Sequence, residues 1–257
     1  MKLATDIGGT FTDLVFIDEK TGHIQTHKSA TTPKDYEQGV LNVIEEAGLS
    51  GAEVDLFIHG TTVIINTLTE RKGVKTGLIT TKGFRDVLEI ARGNRPDLFN
   101  VQYQKPKPVI PRALRLEVAE RLNGKGEVLT PLNEQDIDAA IAFFKKEGVE
   151  AVAIAYLHAY VNPVHEQQTA AWIKEKWPEV SVSASYEISQ EWREYERTNT
   201  TALNAYVKPI ANTYLNQLDQ HLNKHIQVEQ EFVMQSNGGT TTFADAKETP
   251  ITLVESG

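Results

Sequence analysis

Residues 6–13 read Asp6-Ile7-Gly8-Gly9-Thr10-Phe11-Thr12-Asp13, and the rest of the chain can be read outward from them. Lys2 to Ile7 is a short apolar run ending at the two glycines, and Asp13 to Asp18 (DLVFID) is a second. Two glycines between consecutive strands permit a tight turn with positive φ and let a ligand approach the backbone. Successive N–H groups in such a turn form a nest for phosphate oxygens, to which the hydroxyls of Thr10 and Thr12 add donors. Asp6, at the end of the first strand, is placed to hold the hydrated metal that screens the phosphates, since magnesium keeps several of its waters. The plain alternative is an ordinary Gly-Gly hairpin. An acid, two glycines and two threonines together at strand one favour phosphate.

Outward from this octet, Glu19-Lys20-Thr21-Gly22 is a turn candidate and His23 to Ala30 returns as a third strand, completing an antiparallel meander. Thr32-Pro33 has the cap-then-proline signature of a helix start. Tyr36, Val40, Val43, Ile44 and Ala47 then keep helical spacing up to Gly48. A strand (Val54 to His59), a helix (Thr61 to Lys72), a strand (Val74 to Thr80) and a helix (Phe84 to Ala91) follow. The order βββαβαβα is that of ribonuclease-H-like domains, in which an antiparallel hairpin edge continues into parallel strands with crossover helices.

Prolines at 96, 106, 108, 111 and 131 break the rhythm, and 93–131 reads as a long surface excursion. A second α/β run follows: helix Glu134 to Lys146, strand Val149 to Leu157, helix Pro163 to Trp177, strand Val180 to Tyr186. A long polar-rich helix from about Gln190 towards His221, with Pro209 as a candidate bend, leads to a strand from Glu231 to Gln235. The expected organisation is a ribonuclease-H-like lobe over 1–92, a proline-rich excursion over 93–131, an inserted α/β subdomain over 132–188, and a linking helix with the start of an incomplete second lobe over 189–257.

Composition narrows the function classes. Of 257 residues 40% are hydrophobic and 24% charged, enough for a packed core. Lys and Arg number 26 against 35 Asp and Glu, a net charge of -9. A general nucleic-acid or anionic-membrane binder needs a basic face, so neither is expected as a partner. The absence of cysteine removes disulfides, thiolate catalysis and cysteine-ligated zinc, and fits a reducing compartment. No apolar run approaches the ~20 residues of a membrane span, and the N-terminus turns polar too early for a signal peptide. A soluble, cytoplasmic protein is expected.

Three further groups carry chemistry-bearing side chains. In Ile58-His59-Gly60-Thr61-Thr62 a strand feeds a helix, so Thr61 or Thr62 is either an N-cap or, with His59 and with Asn66 one turn on, part of a ligand face at the carboxyl end of the strands. Arg92, Arg95, Arg112 and Arg115 cluster in and beside the proline-rich stretch, where pairing with local acids is the ordinary role. Arg92-Gly93-Asn94-Arg95-Pro96 places two guanidinium groups on a constrained loop and makes Arg92 and Arg95 substrate-side candidates. His158, Asn162 and His165 are close in sequence, and a core or turn role suits them better than a metal site.

Taken together, DIGGTFTD (6–13), HGTT with its following asparagine (59–66), ARGNRPDLFN (91–100), KPKPVIPR (105–112) and EVAERLNGKGEVLTPL (117–132) resemble one family. NPVHE (162–166), EYERTNTTALNAYV (194–207), QSNGG (235–239) and the terminal ESG follow in collinear order. The chain resembles the N-terminal part of the hydantoinase A/5-oxoprolinase family, within the actin-like ATPase superfamily. The resemblance implies two ribonuclease-H-like lobes closing on ATP, with Asp6 organising Mg2+ and water, Gly8, Gly9, Thr10 and Thr12 holding phosphate, and Asp13 completing the cofactor-binding set. Asp6 and Thr10 are the expected catalytic residues.

The resemblance also implies a reaction and partners. ATP phosphorylates the carbonyl or enol oxygen of a substrate, and a hydantoinase B-type subunit takes part in opening a lactam or imide ring. Related carboxylases activate ketones in the same way, so a ketone carboxylase subunit is the alternative, and a non-catalytic assembly module is a third reading. Two departures stand out. Ala159 occupies a position where the family commonly has Ser, and the family continues past ESG into a second Asp-x-Gly-Gly-Thr turn. The chain is therefore expected to carry half of a two-lobed site, with the remainder of the hydantoinase A subunit as its partner.

Overall fold

The computed structural model describes residues 1–32, 35–94 and 97–256. Pro33 of the expected helix start, Arg95 of the arginine loop and the final Gly257 lie outside the described residues. The meander is formed by β1 (Lys2–Ile7), β2 (Phe11–Asp18) and β3 (His23–Ala30), followed by α1 (Tyr36–Glu46), β4 (Glu53–Val54), β5 (Leu56–Thr61) and α2 (Val63–Thr69). Next come β6 (Thr76–Thr81), α3 (Val87–Ile90), β7 (Arg115–Val118), β8 (Arg121–Leu122), β9 (Val128–Thr130), α4 (Glu134–Glu147), β10 (Ala151–Ala155) and α5 (Val164–Lys176). The chain continues through β11 (Ser181–Ala184), α6 (Ser185–Ile188), α7 (Glu194–His225), β12 (Gln227–Val228), β13 (Glu231–Met234), β14 (Thr240–Thr242) and α8 (Phe243–Glu248).

These elements form two units: Met1–Lys72 with the residues from Ile210 onward, and Gly73–Pro209. In the first unit one sheet runs β14-β13-β5-β1-β2-β3. Strands β1 and β2 are antiparallel, whereas β1, β5 and β13 are mutually parallel neighbours. This is the ribonuclease-H-like fold expected, with β13 in the place that the element order assigned to the strand at 74–80. Period-2 patterning explains it: Leu3, Thr5 and Ile7 of β1 and Thr12, Leu14 and Phe16 of β2 point into the core, while Lys2, Ala4, Phe11 and Val15 point out. Helix α1 buries Val40, Val43 and Ile44 at helical spacing and is followed by Gly48 at φ +70.

The second unit is an α/β body inserted into the first. Its sheet, β11-β10-β6-β7, is parallel throughout. The central β10 is buried at every residue, as expected of a strand covered on both faces. Helix α4 starts at Asn133, whose side chain accepts the N–H groups of Gln135 and Asp136, and ends at Gly148 in the left-handed region. The N-terminus of α5 is held through buried Glu166, which accepts the N–H of Tyr156 at 2.8 Å, the N–H of Tyr186 at 2.9 Å and the Ser185 hydroxyl at 2.7 Å. Burial pushes the Glu166 carboxyl up to about 7. Arg197, also buried, donates to the Tyr156 carbonyl at 2.7 Å and so pins the start of α7 to the end of β10.

Several boundaries differ from the sequence expectation, each for a local reason. The strand at 74–80 and the helix after it belong to the inserted sheet, so the fifth strand of the ribonuclease-H-like sheet is β13. Residues beyond the long helix accordingly rejoin the first sheet instead of starting a separate lobe. The helix expected from Thr61 starts at Val63, because Thr61 still pairs with Ile7 in the β1–β5 ladder. The helix expected at 84–91 shrinks to α3, ended by Ala91 at φ 51. The proline-rich excursion contains a sheet strand, β7, paired with β6. Its pattern is disguised by a buried Arg115, whose guanidinium donates to the Ile110 carbonyl at 3.0 Å and to Glu89 at 3.1 Å. No helix among the described residues is long and apolar enough to cross a membrane.

Gly77 of β6 faces the ring of buried Phe144, and a methyl group added there would lie 2.6 Å from the ring carbons. Gly77→Ala is expected to destabilise the inserted unit by about 1–3 kcal/mol, the usual cost of overpacking. Phe144→Leu in the same chain should recover part of that loss, read by urea unfolding of both variants.

Candidate functional site

Strands β1, β5 and β13 run in the same direction, so their carboxyl ends share one edge of the first sheet. Crevices at such edges are where open α/β sheets bind ligands. The register sets Asp6 opposite Gly60, and Ile7 opposite Thr61. The Asp6 Oδ1 atom is buried and has no hydrogen-bond partner among the described residues. Burial, and secondly the negative charge of Asp13, raise the Asp6 pKa above the usual carboxylate range. A buried carboxylate oxygen left unpaired is costly and points to a missing partner. A hydrated cation is the simplest group that satisfies it. Among the described residues no three His, Asp or Glu converge as a metal cage.

Gly60 is the residue that gives Asp6 its space. A methyl group there would lie 2.8 Å from Asp6 Oδ1 and 3.1 Å from the Ser256 carbonyl oxygen. Ser256 in turn donates its hydroxyl to the Thr61 carbonyl at 3.0 Å. The turn after β13 is held to the same terminal segment. Ser236 donates to the Thr252 carbonyl at 2.8 Å and accepts the Glu255 N–H at 3.0 Å. The sequence reading missed Gly60, Ser236 and Ser256 as site residues, although QSNGG and ESG stand out as motifs. The approach of Gly60 to Asp6 depends on cross-strand register, and that of Ser256 to Gly60 on a contact between distant segments, neither of which local pattern carries.

The glycine turn forms for a different reason than expected. Neither Gly8 nor Gly9 has positive φ. The Gly8 N–H closes the turn on the Phe11 carbonyl at 2.9 Å, and a methyl group on Gly8 would sit 3.2 Å from that oxygen. Nothing lies within 4 Å of a methyl group added at Gly9. Thr31 braces the turn through its N–H to the Thr10 carbonyl and its hydroxyl to the Gly8 carbonyl, both at 2.9 Å. Gly9 and Thr10 are exposed, and among the described residues no acceptor takes their N–H groups. They retain the donors a phosphate needs.

Other expected site residues are placed differently. Thr12 is fully buried and its hydroxyl is 3.2 Å from that of Thr31, so it braces the turn and does not face a ligand. Asp13 pairs with Lys28 at 3.0 Å. His59 is fully buried. Its Nδ1 is 2.8 Å from the Thr5 hydroxyl and its Nε2 bonds the Tyr214 hydroxyl, so it bolts α7 to β1 and β5 instead of meeting a ligand. Thr61 is also buried, with its Oγ1 accepting the Val63 N–H at 3.2 Å. Thr62 donates its hydroxyl to the Ile7 carbonyl at 3.0 Å and makes no side-chain cap. Asn66 lies 3.4 Å from the Thr62 hydroxyl, so those two do share a face.

Arg92 and Arg112 of the second unit are engaged with nearby acids. Arg92 pairs with Glu196, and Arg112 holds Asp86 through two bonds of 2.7 and 3.0 Å. Arg95 lies outside the described residues. His158 sits in a turn at φ 61, while Asn162 donates to the Gly126 carbonyl at 2.8 Å.

The hydantoinase/oxoprolinase N-terminal region family matches residues 2–177, and the hydantoinase/oxoprolinase family matches residues 197–257. The chain belongs to the hydantoinase/oxoprolinase family. An uncharacterised protein of Methanocaldococcus jannaschii is 43% identical over the whole chain. The caprolactamase subunit alpha of Pseudomonas jessenii is 35% identical, also over the whole chain. The chain spans 38% of the length of each of these relatives. The crystal structure of the Pseudomonas jessenii ATP-dependent caprolactamase superposes with a TM-score of 0.89 over all of this chain and 38% of its own. The nucleotide-free structure of an acetone carboxylase, from work on ATP-dependent acetone carboxylation, gives a TM-score of 0.87 at 26% identity over 99% of this chain and 38% of its own. The α/β fold and its actin-like ATPase lobe are therefore shared with these enzymes.

Burial pushes His59 from its ordinary 6.5 down to about 3, so the ring is neutral in the folded protein. The unfolded chain protonates this histidine below about 6.5, whereas the folded chain does so only near 3. Its stabilising contribution is therefore complete above 6.5 and lost as the pH falls towards 3. Urea unfolding should show stability falling through this window, with His59 contributing up to about 1.4 kcal/mol per pH unit. His59→Gln is expected to flatten that part of the profile.

Proposed function

We propose that this member of the hydantoinase/oxoprolinase family holds the phosphate end of ATP in an enzyme that phosphorylates the oxygen of a cyclic amide, preparing the ring for hydrolysis with a second subunit. The observation that carries the reading is the unpartnered, buried Asp6 Oδ1 beside the exposed Gly9–Thr10 turn, at the carboxyl edge of three parallel strands. The likeness to an ATP-dependent caprolactamase supports the choice of substrate class.

The chemistry suits what these residues can do. An unstrained cyclic amide is a poor electrophile. When its carbonyl oxygen takes the terminal phosphoryl group of ATP, ADP leaves and the oxygen becomes part of a leaving group. A first water then adds to the carbon and the ring C–N bond breaks, the nitrogen leaving as the amine and the carbon remaining as an acyl phosphate. A second water hydrolyses the acyl phosphate to carboxylate and phosphate. Such a transfer needs positioning and charge neutralisation more than a protein nucleophile. Magnesium, when bound with the nucleotide, supplies the neutralising charge, and Asp6 is the residue that would hold its water shell. The N–H groups of Gly9 and Thr10 and the Thr10 hydroxyl bind phosphate oxygens in this reading. Gly8 and Thr12 shape and brace the turn. Thr62 and Asn66 offer polar groups on one face towards the substrate side.

The remainder of a hydantoinase A subunit and a hydantoinase B-type subunit complete the enzyme, which works in the cytoplasm. The likeness to acetone carboxylase supports a second reading, carboxylation of a ketone activated by the same phosphorylation. In the complete enzyme, Asp6→Ala should lower ATP turnover by about 10²–10³-fold or more while circular dichroism stays unchanged. Unchanged turnover would sink the assignment. Gly60→Ala, which displaces the same carboxylate, should raise the magnesium concentration needed for half-maximal rate. ATP turnover that requires a ketone and bicarbonate, with none on lactams or hydantoins, selects the carboxylase.

A further inference from the structure

The inserted unit contains a cavity of about 530 Å3 along one face of α5, walled also by the start of α4 and by β9. Its apolar wall is formed by Leu132, Ile137, Val164 and the ring of Trp172. The volume lies within the range of small-molecule sites, which combine an apolar wall with a few convergent polar groups. Here the convergent group is His165, whose side chain is almost completely buried yet lines the cavity.

His165 is held in place from behind. Its Nδ1 lies 2.7 Å from Oε2 of Glu120, a carboxylate that is itself buried and takes the Thr81 hydroxyl on its other oxygen. That arrangement fixes the ring orientation and puts a proton on Nδ1. Among the described residues nothing hydrogen-bonds the second ring nitrogen, Nε2. A buried histidine oriented by a carboxylate, with its far nitrogen free at a cavity wall, is built to meet a ligand.

The chemistry of the wall defines that ligand. Glu134 and Glu175 are the remaining ionisable groups of the lining, and no Lys or Arg is among them. A phosphate or carboxylate would meet only like charge, whereas an uncharged molecule with an apolar body fits. Nε2 accepts an N–H when the ring is neutral and donates to a carbonyl when the ring is charged. An amide offers both groups and satisfies His165 in either state. We propose that this cavity is a second small-molecule site, which takes an uncharged, largely apolar amide of lactam size with its polar edge on His165.

This inference rests on the proposed reaction for its ligand class, but it can fail separately. The probes are ε-caprolactam and its ring-opened zwitterion, 6-aminohexanoate, titrated calorimetrically into the full-length protein without nucleotide. Two variants separate space from hydrogen bonding. Ala171→Trp fills the cavity from an exposed position on α5. His165→Asn keeps the donor to Glu120 and removes Nε2. The lactam should bind and the zwitterion should not, and each variant should weaken the lactam at least about tenfold with unchanged circular dichroism. Lactam affinity unaltered by Ala171→Trp, equal binding of the zwitterion, or no lactam binding by the wild type would overturn the proposal. Asp6→Ala should leave this binding intact while removing ATP turnover, so a failure at one site is not mistaken for a failure at the other.

Discussion

The parallel pairing of β1 with β5 is the constraint on which the site depends. One register places Asp6 across from Gly60, and a shift by a single residue would turn the carboxylate to the opposite face of the sheet. The hydrophobic alternation of β1 prevents that shift, because it would expose Leu3, Thr5 and Ile7 together. The buried contacts of His59 with Thr5 and Tyr214 tie the same two strands to α7. Sheet, helix and the Asp6 carboxylate are fixed by one set of pairings.

The two ends of the glycine turn divide the labour. Thr12, Thr31 and Gly8 use their polar groups on each other and fix its shape, whereas Gly9 and Thr10 leave their N–H groups uncommitted. A rigid inner half and an uncommitted outer half suit a site that must present donors without spending them internally. Asp6 follows the same logic, since the low polarity that leaves Oδ1 unpaired also strengthens any charge interaction it makes.

Local chemistry was legible in the sequence to the extent that it was local. The acid–glycine–threonine octet, the meander, α1 with its glycine stop and the apolar face of α4 follow from turn chemistry and periodicity. The burial of Thr12 and His59 was also within reach, because each falls in phase with core residues, Leu14 and Phe16 in one strand and Phe57 in the other. At those positions chemical type points to a ligand and phase points to the core, and phase prevails. The pairing of β13 with β5 was not legible, since it joins segments far apart in sequence and leaves no mark on either alone. β7 was hidden by Arg115, a residue whose burial depends on a carbonyl and a carboxylate supplied by other segments.

The insertion at Gly73–Pro209 has a consequence for how the protein is made. The inserted unit is continuous in the chain, so the strands of its sheet all lie within one stretch. The first unit is not: β5 must wait for Glu231 to emerge before its outer edge is paired. During that interval an apolar strand edge, with Phe57 among its residues, stands open to neighbouring nascent chains. Such edges invite wrong pairing. Synthesis is therefore a race between translation of the insertion and capture of the waiting strand.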